Sequence, residues 1–441
     1  MLPSAEPSII TEPAVASPGW RLATRIAFRF SVLYFTLYVL TTQMLSSLVT
    51  LPVGNVPDAS DSGWGIAVFS WVARDVLHAA SGFATRSTGS GDRTLDWAQS
   101  LVLLVAAAAG TLLWSLVTRR RDHPTVQKWF RVFLRFALGA TMVGYGIAKV
   151  VPLQMPAPSL SRLLEPYGSF SPMGVLWASI GASRSYEIFV GLAETAGGVL
   201  LFVPQLALLG ALITLADVVE VFMLNMTYDV PVKLFSFHLI LMALFLLAPD
   251  ARRLANVIVF DRRAEPSARP RLFSSRTAWR AAVAAQIVFG VYLLGVNVYG
   301  ARRSWYAYGG GAAKSPLYGI WNVDELSNDG QPRPPLLTDT NRWRRAVFQT
   351  PERLAIQVMN ESYAAFGSAI DMKTGTLVLS KPSDKNWKGH FTFQQPDADT
   401  LSLDGSMDGH QVHAVLHRMA PSRFLLLSRG FHWIQEMPFN R

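Results

Sequence analysis

Asp217 and Glu220 sit in "LITLADVVEVFMLN", residues 212–225, a stretch otherwise apolar enough for the interior of a bilayer. An acid at the centre of a lipid-buried helix costs about 2.5–3.5 kcal/mol on insertion scales, so such groups face a bundle interior, pair, or keep a proton. Neighbouring apolar runs repeat the anomaly. Glu187 and Glu194 are seven apart and share a helical face, as do Asp217 and Glu220 at three apart. Tyr145 and Lys149 are four apart on one face, and His238 lies in the next run. Hydroxyl, ammonium and imidazole groups can hydrogen-bond a carbonyl, and carboxyls can exchange a proton with it. The expected site is a polar intramembrane cavity shared by Tyr145, Lys149, Glu187, Glu194, Asp217, Glu220 and His238.

Three of these residues have a plainer explanation. Lys149 can snorkel to the headgroups. Glu187 and Arg184 sit near the water boundary, and a lone histidine is often a packed, hydrogen-bonded core residue. Glu194 and Asp217 resist such readings because their depth leaves no water. They fall within about 3 Å of the same depth, on helices joined by the turn at Pro204-Gln205. Two such carboxylates are expected to share a proton unless a cation such as Lys149 intervenes.

The elements holding these groups follow from composition. Of 441 residues, 50% are hydrophobic and only 16% charged, and mean hydropathy is +0.25. Soluble chains carry about a quarter charged residues, so this one is expected in lipid. Runs near 30–50, 97–118, 129–150, 184–203, 205–226, 232–249 and 277–300 are long enough to span, giving about seven helices. The net charge of +10 reads as topology rather than nucleic-acid binding, because most basic residues flank these runs. Arg21, Arg25 and Arg29 precede the first run, which is too long for a cleaved signal peptide. Arg119-Arg120-Arg121 with Lys128, Arg131 and Arg135, and the loop from Arg252 through Arg269 to Arg276, share one side only if the N-terminus is cytoplasmic. Residues 64–83 read as an interfacial helix, with a re-entrant hairpin as the alternative.

The expected organisation is a disordered tail over 1–19, a transmembrane domain over 20–300, a linker over 301–316 and an external β domain over 317–441. In the last, short alternating segments such as "DTLSLDG" predict eight to ten strands, as an antiparallel meander barrel or sandwich. Gly319-Ile320-Trp321 resembles the Gly-x-Trp of lipocalin-like barrels, with Trp321 expected buried. His413 and His417 share a strand face near His390, His410 and His432, and read as surface or packing histidines rather than a metal site.

Several chemistries lack their residues. There are no cysteines, which removes iron–sulfur ligation and thiol redox chemistry. His238 is the only deeply placed histidine, too few for bis-histidine haem, and there is no glycine-rich nucleotide loop.

"YGIAKVVP", "RLLEPYGSFSPMGVLWASIG", "YEIFVGLAETAGGVLLFVP" and "NMTYDVPVKLFSFHLILMALFLLAPD" resemble the DoxX family of bacterial and archaeal membrane proteins over roughly 130–250. The whole chain is similar to a larger DoxX type with a C-terminal β domain ending in "RGFHWIQEMPFNR". The resemblance implies a four-span unit and a redox setting. Relatives include a small subunit of a thiosulfate:quinone oxidoreductase and a protein that assists maturation of methylamine dehydrogenase. Tyr145, Lys149, Glu187, Glu194 and Lys233 fall in the matching stretches. With no electron carrier in the chain, the expectation is a membrane subunit that binds a quinone or similar lipophilic molecule beside a redox partner protein. It would lie in a bacterial inner membrane with the β domain outside. A non-enzymatic scaffold or assembly factor and a proton-coupled transporter are the alternatives; whether the chain is an enzyme, and which residues would be catalytic, stay open.

Overall fold

The computed structural model describes residues 20–49, 56–118, 122–266 and 271–440. The tail 1–19, Arg119-Arg120-Arg121 and Arg269 lie outside the described residues. The helices are α1 (Leu22–Thr41), α2 (Gln43–Leu48), α3 (Gly63–Trp71), α4 (Thr94–Val117), α5 (Pro124–Val150), α6 (Leu160–Leu164), α7 (Pro172–Gly181), α8 (Arg184–Phe202), α9 (Ala207–Thr227), α10 (Lys233–Leu247), α11 (Ala251–Ile258), α12 (Arg276–Ala307) and α13 (Leu425–Ser428). Among the described residues, seven spans are long and apolar enough to cross a membrane: α1, α4, α5, α8, α9, α10 running on into α11, and α12. The chain is a multi-pass helical membrane protein with a C-terminal β-barrel.

Four spans differ from the sequence expectation: α5 begins at Pro124 rather than 129, the α10–α11 span runs to Ile258 rather than 249 and takes in Arg252 and Arg253 of the expected basic loop, and the first and last differ too. The first begins at Leu22, not residue 30, and takes in Arg25 and Arg29. Arg29 is buried because it finds partners: it donates to Ser115 Oγ at 2.8 Å and meets His123 Nε2 at 3.2 Å. The helix breaks at Thr42, where Thr41 and Thr42 hydroxyls bond back to Leu37 and Tyr38 carbonyls, a competition that weakens helix continuation. The last span continues to Ala307, so Arg302 and Arg303 belong to the helix rather than to the expected linker.

The described residues divide into two compact units. One holds 20–144, 196–226 and 230–296; the other holds 145–195, 227–229 and 297–440. In the first, α3 runs into a π-helical turn, Val72–Val76, and no further helix follows before α4. Phe69, Val72 and Ala73 pack on Leu95 and Ala98 of α4, while Trp64 and Trp71 stay exposed. A single helical leg therefore occupies this segment. Arg93 closes the start of α4: it reaches Asp61 at 2.7 Å and Asp96 at 2.8 Å, and donates to Ser60 at 2.9 Å.

In the second unit, eight strands close an antiparallel meander barrel: β1 (Gly319–Asn328), β3 (Trp343–Thr350), β4 (Arg353–Val358), β5 (Tyr363–Asp371), β6 (Thr376–Lys381), β7 (Asp384–Gln394), β8 (Thr400–Met407) and β9 (His410–Arg418). Each pairs with the next, and β9 returns to β1. A two-residue strand, β2 (Gln331–Pro332), adds to the end of β1. Inward residues of every one of these eight strands form a continuous core, including Trp321, Trp343, Phe348, Leu377, Phe391, Leu401 and Leu416. An eight-stranded barrel is narrow enough for side chains to fill it, and these buried residues pack its interior. Trp321 is 1% exposed and donates its Nε1 to Leu317 O at 2.9 Å. Gly319 takes φ +150°, where a side chain would be strained. Buried Arg342 binds the carbonyls of Arg333, Trp343, Val323 and Asp324. The barrel's outer face packs Ile320, Val347 and Met419 against Leu160 and Leu164 of α6, and Leu160 N donates to Gln349 Oε1 at 3.0 Å.

Burial pushes the Asp58 carboxyl up to about 6, with Asp61 and Asp96 adding to the shift and Arg93 opposing it. Its folded value lies above its ordinary 3.8, so the folded state holds the proton more tightly than the unfolded one. The stability this contributes is full below about pH 4 and is lost as pH rises through 6. In thermal unfolding between pH 4 and 7, Asp58→Asn should fall less steeply with pH than the wild type; parallel curves would refute the assignment.

Candidate functional site

Four of the expected site residues come together in the second unit. Lys149 Nζ lies 2.5 and 2.6 Å from the two carboxylate oxygens of Glu194, and both side chains are buried. The Tyr145 ring centroid is 5.9 Å from the same ammonium. Glu187, 1% exposed, accepts a hydrogen bond from Met155 N at 3.0 Å, so it anchors the chain beyond α5. Lys149 does not snorkel. Glu194 meets it with both oxygens, an ion pair where the sequence suggested a proton shared between carboxylates.

Glycine makes this pairing possible. A Cβ on Gly146 of α5 would stand 2.6 Å from Thr195 N and 2.7 Å from Gly191 O. One on Gly191 of α8 would stand 2.6 Å from Gly146 O and from Val150 N. The two backbones therefore touch, as small residues permit between membrane helices. Lys149 and Glu194 each follow one of these glycines by three residues, one helical turn along the contact.

His238 is placed in the first unit. Nδ1 lies 2.7 Å from Leu234 O and Nε2 lies 2.7 Å from the Tyr34 hydroxyl. A carbonyl only accepts, so in the neutral ring Nδ1 carries the proton and Nε2 accepts from Tyr34. The Tyr38 ring stacks on the imidazole, with centroids 4.0 Å apart and planes within 9°. α10 is held at its start by Asp92, whose carboxylate accepts from Lys233 N and Leu234 N, each at 2.9 Å. This side chain satisfies amides that the helix itself leaves open. Asn225 of α9 donates to Ser236 Oγ at 3.0 Å and fixes the neighbouring turn.

Tyr34 and His238 border a groove of about 960 Å³ whose walls come from α1, α4, α9 and α10, with Phe30, Phe35, Trp97, Phe222, Phe237 and Phe245 among them. Among the described residues that line it, Lys233 is the one charged side chain. Asp217 is half-buried on α9 and Glu220 is exposed. A three-residue step turns a helix by about 300°, leaving the two acids about 60° apart, enough to take Glu220 out of the enclosed face it was expected to share.

Tyr34 and Tyr38 were not singled out by sequence, although their four-residue spacing in an apolar run puts two hydroxyls on one face. On the barrel, His410, His413 and His417 are exposed and bond singly to Asp329, Asp404 and Asp324 at 2.6–2.7 Å. Among the described residues no three of His, Asp and Glu gather as a metal site would require.

No protein-family model matches the chain, and no solved structure matches it significantly. The uncharacterized protein YwoB of Bacillus subtilis is 31% identical over 139 residues, which is 32% of this chain and 86% of YwoB. The chain belongs to the YwoB family. YwoB is described only as uncharacterized, so the kinship brings no ligand or activity.

Removing one partner of a buried ion pair strands the other charge, at about 3–5 kcal/mol, whereas replacing both with apolar groups is often neutral. Glu194→Gln should therefore lower the thermal midpoint markedly, and Lys149→Met with Glu194→Leu should recover most of it. Equal stability of Glu194→Gln and wild type would show that the pair is not closed.

Proposed function

We propose that this YwoB-family chain is a DoxX-like membrane subunit that binds a lipophilic carbonyl compound of the quinone class in the groove beside Tyr34 and His238. The observation that carries this reading is an apolar groove of about 960 Å³ bordered by one buried tyrosine–histidine hydrogen bond. Ligand sites are typically of this size and kind, mostly apolar with a few placed polar groups. A bound quinol could donate its O–H to Tyr34 oxygen while Tyr34 passes its own proton to His238 Nε2. Electrons would go to a partner protein, since the chain offers no thiolate carrier. The buried Lys149–Glu194 pair serves the scaffold in this reading.

The β domain is read as a partner-binding module on the outer side of a bacterial inner membrane, with the N-terminus cytoplasmic. The filled barrel interior supports this, because it leaves the outer surface for recognition. The same observation favours a second reading, a non-enzymatic scaffold or assembly factor in which the groove holds only lipid.

Titrating the purified protein with ubiquinone-1 and a short-chain menaquinone should quench Trp97, which lines the groove. Tyr34→Phe and His238→Gln should weaken binding about tenfold, the loss of one buried hydrogen bond; Trp97→Phe supplies the background. Binding unchanged in both variants would remove the groove from the proposal. For orientation, protease added outside spheroplasts should release the domain beyond residue 308, and protection of that domain would reverse the topology.

A further inference from the structure

A second cavity in the first unit has the opposite chemistry. Its volume is about 210 Å³, and its walls include Lys128, Arg131 and Arg135 of α5, Trp279 and Gln286 of α12, and Asp250. This is below the roughly 300–1,000 Å³ of drug-sized sites, and suits a headgroup rather than a whole lipid. The three cations are spaced three and four residues apart, which aligns them on one helix face. They lie about 6, 10 and 16 Å from the start of α5, a ladder from the basic end of the helix toward its middle.

Arg135 is 8% exposed. Its Nε donates to Leu201 O at 2.8 Å, but its Nη2 is buried with no hydrogen-bond partner among the described residues. A buried guanidinium N–H left unmade is expensive. Gln286 is 7% exposed and donates to Ala282 O at 3.0 Å, while its Oε1 is also buried without a partner among the described residues. One wall thus lacks an acceptor for Arg135, and another lacks a donor for Gln286. Trp279 adds an amphipathic ring of the kind found at headgroup level. The lining acid, Asp250, also faces Arg253 at 3.5 Å, and one acid among three cations leaves the lining net positive.

We infer that this cavity binds a phosphate-type anion that also carries a hydroxyl: the headgroup of a hydroxyl-bearing anionic lipid, or free hydrogen phosphate. The anionic oxygens take the N–H groups of Arg135, with Lys128 and Arg131 adding charge nearer the water, and the hydroxyl donates to Gln286 Oε1. Basic pockets between spans on the cytoplasmic side bind anionic headgroups on this principle, and arginine suits phosphate oxygens by its planar fork. The site is separate from the quinone groove and stands or falls without it.

The test uses the full chain in maltoside detergent. Native mass spectrometry and thermal unfolding are run with dioleoyl phosphatidylglycerol, with dioleoyl phosphatidylcholine and with inorganic phosphate. Phosphatidylglycerol should stay bound and raise the midpoint, and phosphatidylcholine should not. Lys128→Gln with Arg131→Gln, both half-buried and tolerant of change, should weaken phosphatidylglycerol about tenfold or more. Arg135→Lys keeps the charge and removes the fork, and should weaken it as well. A midpoint shift with inorganic phosphate alone, absent in the double variant, would assign the same site to a soluble anion. The inference is overturned if wild type and the Lys128→Gln, Arg131→Gln variant respond alike to both probes, or if phosphatidylcholine binds as well as phosphatidylglycerol. Should Arg135→Lys fail to fold, the double variant decides alone.

Discussion

An ammonium and a carboxylate can be held together inside apolar helices only where two backbones come nearly into contact. Gly146 and Gly191 supply that contact, and Lys149 and Glu194 close over it one turn along. Further contacts within the second unit run on from this crossing. Glu187 lies seven residues before Glu194 and holds Met155. The carbonyls of Met155 and Pro156 in turn press on Gly181 at the end of α7. The same loop carries α6, whose Leu160 and Leu164 seat the barrel wall and whose first amide bonds Gln349. A charge pair that adds little net stability of its own thereby fixes the register of everything attached to it.

The histidine is governed by a different rule. With no water in a bilayer core, each backbone group needs an internal partner, and the start of a helix is where partners run out. Asp92 meets that need for α10 from a distant loop, with Gly91 N bonding Pro231 O at 2.7 Å beside it. The rotation of α10 is then set, and His238 points to Tyr34 rather than elsewhere. Leu234 O fixes its tautomer. The polar pair in the groove is thus a consequence of a cap four to five residues away.

The number of spans, the β domain and its meander order were legible because each rests on local pattern: runs of about 20 apolar residues, and period-two alternation between turns. The choice of a closed barrel over a sandwich was not, since closure depends on β9 returning to β1, a pairing that adjacent segments do not encode. In the site, depth arguments singled out Glu194 and Asp217, of which Glu194 is buried and Asp217 half-buried, while Lys149, Glu187 and His238, which had plainer readings, are buried as well. Depth is one coordinate, however, and rotation about each helix axis is another. Rotation separated Glu220 from Asp217, and it placed Tyr34 and Tyr38 against His238, residues that apolar surroundings had hidden. Arg29 and Arg135 were read as topology markers because arginines near span ends usually are. Their burial becomes visible only when Ser115, His123 and Leu201 are seen to receive them.

What can occupy the groove follows from what its walls can satisfy. A polar ligand would leave several groups facing Phe30, Phe35, Phe222, Phe237 and Phe245, and each unmet hydrogen bond would cost about 1–3 kcal/mol. A wholly apolar ligand meets no such penalty, but it gains nothing from Tyr34 and His238, which already satisfy each other. Selectivity above lipid tails therefore requires a molecule with an apolar body and one exchangeable polar end, able to enter the Tyr34–His238 bond without stranding either member. A hydroxyl does this better than a carbonyl. It donates to Tyr34 oxygen while Tyr34 keeps its bond to His238, whereas a carbonyl must compete with Nε2 for the single tyrosine proton. If the ligand is a quinone, the groove is accordingly built to favour its reduced form, and binding would shift the bound couple toward the quinol.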